Sequence, residues 1–134
     1  TQHDAGRKTT VEDSVGMASY SLDSHICRRI ADNGIVIQEG GFYQKIPGAY
    51  PISYRALTPK PAECENLLVP ACCSASHVAY ASVRMEPVFM ILGHSSAAAA
   101  VQAIDEKTSV QKIDVKKLQE QLTTGKQVLY LPKK

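Results

Sequence analysis

The chain has 134 residues, of which 44% are hydrophobic and 21% are charged, so we expect one globular domain and exclude a disordered or fibrous chain. Its net charge is only +2, and its basic residues are spread out, with no run longer than a pair such as 116–117 or 133–134, which indicates neither a nucleic-acid nor a membrane partner. The four cysteines lack a paired CxxC spacing, so we expect buried thiols and no metal site.

The first half of the chain is predicted to be rich in β-structure. Asn33-Gly34 lies between two apolar runs, and this dipeptide supplies the positive φ angles of a tight hairpin turn. We therefore predict a hairpin over residues 26–38. Weaker patterns predict a strand or an ordered loop at 11–23, a short strand at 42–46 and an edge strand at 50–57.

The second half is predicted to be a short buried strand at 67–69, a loop, and two helices. The first helix should run from Glu86 to about Ile104, and it is apolar or small on every side, which is typical of a buried helix rather than a membrane span. Asp114 should cap a second, amphipathic helix that Gly125 ends. A final strand or extended tail should follow at 127–131.

These elements predict an α+β fold with a β-rich part at 1–66 and a strand, loop and helix part at 67–134, packed as one compact module. A ligand site is expected in the stretch from 66 to 100, which contains the predicted strand, the loop and the start of the first helix. Backbone N–H groups at the Glu86-Pro87 helix start would favour an anionic ligand. The alternative from physics alone is a capped core helix that binds nothing.

Five blocks of sequence resemble the C-terminal region of a family of bacterial FAD-dependent oxidoreductases, over residues 15–122. They are DSH at 23–25, PISYR at 51–55, ECENLLVP at 63–70, SASH at 74–77 and RMEPVFM at 84–90. Some members of this family carry the label xanthan lyase, which no residue pattern here supports as chemistry. The resemblance implies an N-terminal Rossmann half that binds the ADP part of FAD, and a C-terminal region that completes the flavin site.

The resemblance implies a returning strand at 67–70, a loop over 76–87 that crosses the flavin, and a helix whose N-terminus faces the flavin ring. The expected catalytic residues are His77 and Arg84, and His25 is the expected substrate residue. The expected cofactor-binding residues are Ser76, Arg84, Met85, Glu86 and Pro87. His94, by contrast, is expected to be a core histidine, and no metal ligand is expected.

No GxGxxG pattern occurs in the sequence, and the chain begins at Thr1 without a methionine. We therefore expect a fragment that lacks its Rossmann half, binds no FAD by itself and is inactive alone. The substrate is expected to be a small molecule or a carbohydrate, and the location of the protein stays open between the cytoplasm, the periplasm and secretion.

Two other functions remain possible from the sequence. Without the Rossmann half, the surfaces that would contact it become exposed apolar patches, and such patches favour self-association. The chain could therefore be a non-catalytic binding or self-associating module, and a homo-oligomer is expected. Tyr43, Tyr50 and Tyr54 could stack on a sugar in a carbohydrate-active enzyme, although they are more typical of strand residues.

Overall fold

A computed structural model describes residues 1–132 of the chain. Its helices are α1 (Gln2–Ala5), α2 (His77–Val83), α3 (Glu86–Asp105) and α4 (Val115–Thr124). Its strands are β1 (Ser14–Ala18), β2 (Leu22–Ser24), β3 (Arg28–Asp32), β4 (Ile35–Glu39), β5 (Phe42–Gln44) and β6 (Tyr50–Ser53), and a 3₁₀ turn follows at Tyr54–Ala56. The predicted α+β fold, with its β-rich first half, is confirmed.

The six strands form three nested antiparallel pairs. β1 pairs with β6, β2 with β5, and β3 with β4, so the chain runs outwards through three strands and returns through the other three. The predicted hairpin is confirmed as the outer pair, and its turn residues Asn33 and Gly34 have φ values of 46° and 79°. The strands therefore make an interrupted ribbon whose tip is the β3–β4 hairpin.

Helix α3 covers the inner end of this ribbon. Leu92 on α3 and Val15 on β1 are both fully buried, and Gly16 lets the two elements approach closely. A Cβ atom at Gly16 would lie 2.6 Å from Cγ2 of Ile91, which is too close for any side chain. The core of the protein lies in this layer and continues to Leu118 and Leu122 of α4.

The predicted amphipathic helix is confirmed as α4. The Asp114 side chain caps it by accepting hydrogen bonds from the N–H groups of Lys116 (2.9 Å) and Lys117 (3.3 Å). Ile113, just before the cap, is buried, as are Leu118 and Leu122 on the inner face of the helix.

The segment after α4, predicted as a strand or extended tail at 127–131, forms no strand in the described residues. Side-chain hydrogen bonds, rather than backbone hydrogen bonds of a sheet, connect this segment to β1. Gln127 Nε2 donates to the carbonyl of Val15 (2.7 Å), and the Ser14 hydroxyl donates to the carbonyl of Leu129 (2.8 Å). Gln119 of α4 also donates to the carbonyl of Ser14 (3.0 Å). These bonds fix the tail against β1 and satisfy its buried polar groups.

Two predicted elements of the second half are wrong. Residues 67–69 are not a strand: Leu67 is exposed, and Val69 makes one backbone bond, to the carbonyl of Leu57 at 2.8 Å. With no neighbouring strand, an apolar run cannot join a sheet. The predicted crossing loop at 76–87 is largely the helix α2, which Ser76 starts by accepting a hydrogen bond from the N–H of Ala79.

The burial predicted for α3 is correct for one face only. Met90 and Ile104 are about three-quarters exposed, and His94, predicted to lie in the core, is exposed with Nδ1 2.7 Å from Oε1 of Gln127. By length and composition alone, α3 could also cross a membrane. The predicted buried thiol holds for Cys73, whereas Cys27 and Cys72 are exposed.

Candidate functional site

Helix α2 brings its two ends against the β2–β5 pair. The buried Ser82 of α2 holds the helix against the strands. Its hydroxyl accepts a hydrogen bond from the Tyr50 hydroxyl of β6 (2.8 Å) and donates to the carbonyl of Tyr20, just before β2. At the start of α2, the ring of His77 contacts Phe42 of β5 edge to face, with centroids 6.2 Å apart. The position of His77 is therefore set by the second sheet pair.

Arg84 lies at the C-terminal end of α2 and contacts Asp23 of β2. Its Nη2 donates to the Asp23 carbonyl at 3.1 Å and lies 3.9 Å from the Asp23 carboxylate. That carboxylate accepts a hydrogen bond from the Tyr20 hydroxyl at 3.0 Å, and this bond raises the pKa of Tyr20. Asp23 thus orients the Arg84 guanidinium through both its backbone carbonyl and its side-chain carboxylate.

Between these elements lies a cavity of about 270 Å³. It is lined by Asp23, Ser24, His25, Ile26, Cys27, His77, Tyr80, Ala81 and Arg84. The three residues expected to act on the substrate, His25, His77 and Arg84, therefore line one cavity, although His77 is far from His25 in the sequence. Small-molecule pockets in proteins usually have volumes of roughly 300–1,000 Å³, so this cavity suits a compact ligand.

The polar groups of the cavity are one guanidinium, one carboxylate and two imidazoles, from Arg84, Asp23, His25 and His77. The Arg84 guanidinium carries five N–H donors in a planar fork, which matches a carboxylate or phosphate. In residues 1–132, the one hydrogen bond that Arg84 makes through this group is to Asp23. The side chain is 32% exposed, so its other donors are accessible to a ligand.

The other predicted cofactor residues lie elsewhere. Ser76, Met85, Glu86 and Pro87 do not line the cavity, and Ser76 is occupied in capping α2. At the start of α3, Pro87 has no N–H, while Val88 and Phe89 both donate to the Met85 carbonyl. Among the first-turn donors only the N–H of Glu86 is left, next to an acidic side chain, so this helix start is a weak anion site.

Sequence reasoning gave no role to Tyr20, Asp23 or Cys27. Cys27 is exposed at the cavity, and its Sγ lies 3.5 Å from the carbonyl of His25. The sequence signal that could have pointed to Cys27 was Gly40. Its φ is 86°, and a Cβ atom there would lie 2.8 Å from the Cys27 sulfur, so only glycine fits beside this cysteine. The glycine pair at 40–41 therefore allows the return strand to pass close to the cavity wall.

The remaining candidate residues do not join this site. The Tyr50 and Tyr54 rings are buried, and the Tyr54 hydroxyl donates to the carbonyl of Val110 at 2.7 Å. Burial raises the pKa of Tyr54 to about 12. Within residues 1–132, no three His, Cys, Asp or Glu side chains lie close enough together to hold a metal ion.

Comparison with known proteins gives one match. The family model described as FAD dependent oxidoreductase matches residues 1–122. No curated protein and no solved structure matches the chain. Because the family match covers most of its length, the chain belongs to the FAD dependent oxidoreductase family.

Proposed function

We propose that this chain supplies the substrate-facing part of an FAD-dependent oxidoreductase and that its cavity binds a small anionic substrate. The observation that carries the proposal is the meeting of Arg84, His25 and His77 around one cavity of about 270 Å³. Arg84 would hold a carboxylate or phosphate of the substrate. The two imidazoles would donate or accept the proton that accompanies oxidation, a common role of histidine.

FAD, when bound, would supply hydride or electron transfer to this reaction. The candidate site fits only a small part of such a cofactor, because this cavity is too small for a dinucleotide and the α3 N-terminus offers a single first-turn N–H group. The adenosine and pyrophosphate contacts would therefore come from a Rossmann half outside this sequence. We expect the purified chain to be colourless and to bind no stoichiometric FAD.

A carbohydrate substrate is less well supported. Stacking on a sugar needs exposed aromatic rings, and only Tyr43 of the three candidate tyrosines is largely exposed, whereas Tyr50 and Tyr54 are buried. Tyr43 also lies outside the cavity. A small anionic molecule matches the Arg84 side of the cavity better.

The chain itself can test the anion site. Titration with acetate and inorganic phosphate, followed by NMR of the histidine rings, should shift the signals of His25 and His77 in a saturable way. Arg84→Ala should abolish the shifts, whereas Arg55→Ala, which removes an exposed arginine paired with Asp13, should preserve them. Equal responses in both variants would refute the anion site.

The flavin-loaded enzyme that contains this chain tests the catalytic roles. Arg84→Ala should raise KM for an anionic substrate more than it lowers kcat, because it removes binding that is present before and during the reaction. His77→Ala should lower kcat by roughly 10²–10⁴-fold and change its pH profile if His77 transfers a proton. Replacing His3, an exposed histidine away from the cavity, should change neither constant. Unchanged kinetics in the Arg84 and His77 variants would refute the proposal.

A further inference from the structure

Helix α3 carries an exposed stripe, defined as Met90, His94, Ala97, Val101 and Ile104. These residues follow one another at intervals of four, three, four and three, the spacing of the contact seam of a coiled coil. Met90 is 75% exposed, Val101 54% and Ile104 74%. In the part of the chain that the structure describes, His94 is hydrogen-bonded to Gln127 and the rest of the stripe is exposed, while the opposite face of α3 packs on β1.

The stripe contains no aspartate, glutamate, lysine or arginine. Glu86 and Asp105 are the two charged residues of α3, and they lie at its first and last positions. The stripe is bordered by the small residues Gly93 and Ala100, and a Cβ atom at Gly93 would meet no atom within 4 Å. A second helix could therefore approach closely, with large side chains at the ends of the stripe and small ones in the middle.

We propose that α3 pairs with α3 of a second copy of this chain, antiparallel and with the two-fold axis at Ala97. Met90 and Ile104 lie seven residues on either side of Ala97, so each would face the other across the dimer. Val101 would face Gly93 of the other copy, which places a bulky residue against a small one. A two-fold pairing requires such self-complementarity.

The helix ends also favour the antiparallel pairing. A parallel pair would place Glu86 beside Glu86 and align the two helix dipoles. The antiparallel arrangement brings the positive end of each dipole to the negative end of the other.

Analytical ultracentrifugation of the 134-residue chain over a range of micromolar concentrations tests the pairing. The chain should show a reversible monomer–dimer equilibrium. Val101→Lys should weaken the dimer at least tenfold, because it places a charge in a buried apolar seam. Val36→Lys is the matched control, since Val36 is an equally exposed valine on the hairpin, and it should leave the dissociation constant unchanged. Circular dichroism checks that both variants are folded.

A size swap tests the register. Gly93→Val should weaken the dimer roughly tenfold, because it places two bulky residues face to face. Val101→Ala should weaken it by loss of apolar contact, and the double variant should restore the wild-type constant. A monomer at all concentrations would overturn the proposal and would leave the flavin-binding half or a membrane as the occupant. A dimer that responds to Val36→Lys, or that the double variant does not restore, would overturn it as well. None of these outcomes depends on the anion site.

Discussion

The inner and outer ends of the β-ribbon are stabilised in different ways. The β1–β6 pair lies under α3, with Val15, Ile52 and Leu92 buried in one core. Every residue of β4 is exposed, and the hairpin is held by its own ladder, its Asn33-Gly34 turn and one ion pair, Arg28–Glu39 at 3.0 Å. Since an isolated two-stranded hairpin is only marginally stable in water, we infer that the inner end determines global stability and that the hairpin opens independently.

The largest effect should come from the inner end. Leu92→Ala removes a fully buried side chain between α3 and β1 and should lower the free energy of unfolding by about 2–5 kcal/mol. Val36→Ala, on the hairpin, should change it by less than about 0.5 kcal/mol, as is usual for exposed positions. Urea unfolding monitored by circular dichroism measures both, and similar losses would mean that the ribbon unfolds as one unit.

A second test uses two glycines. Gly16→Ala places a methyl group 2.6 Å from Ile91 Cγ2 and should destabilise the protein by roughly 1–3 kcal/mol, because α3 must move away from β1. Gly93→Ala adds the same atom in open space on a helix of the single chain, and at concentrations where the protein is monomeric it should stabilise the fold by up to about 1 kcal/mol. Thermal unfolding gives both values, and an unchanged Tm for the Gly16 variant would show that the α3–β1 contact is loose.

A third, smaller effect should be confined to the hairpin. Gly34 has a φ of 79°, and alanine in this region costs about 1–2 kcal/mol. If the hairpin opens independently, Gly34→Ala should speed amide hydrogen exchange in β3 and β4 by roughly 5- to 30-fold and leave β1 and α3 unchanged. Faster exchange in β1 as well would show that the hairpin and the inner end of the ribbon unfold together as one cooperative unit.

The smallest effect concerns the connection of α3 with α4. Lys117 Nζ lies 2.5 Å from the Glu106 carboxylate, and this hydrogen bond lowers the pKa of Glu106. A carboxyl whose pKa is lower in the folded state stabilises the fold above its unfolded pKa, about 4.3 for glutamate, and loses this contribution as the pH falls through the folded value.

Glu106→Gln should therefore lower Tm slightly at neutral pH, and the difference from wild type should disappear in acid. Glu120→Gln, at an exposed position on α4, serves as the control and should have no such pH-dependent difference. Scanning calorimetry across this pH range measures the effect. A difference that persists in acid would mean that the charge of Glu106 is not its cause.

The candidate site shows where sequence reasoning stops. His25, His77 and Arg84 could be selected from the sequence, but their meeting at one cavity depends on α2, which was predicted as a loop. The stretch His77–Val83 is short and carries alanines, serine and tyrosine without a clear amphipathic period, so its helical form depends on the Ser76 cap and on packing against β2. Tertiary contacts outweigh weak local preference here.

The sequence by itself determined the elements whose signals are local. Asn33-Gly34 specified the hairpin, Asp114 specified the start of α4, and the apolar run after Pro87 specified α3, because turn geometry, capping and helix length depend on near neighbours. Only the tertiary structure decided that residues 67–69 have no partner strand and that one face of α3 is exposed. Both depend on which distant segments pack together, and a hydrophobic pattern does not encode that choice.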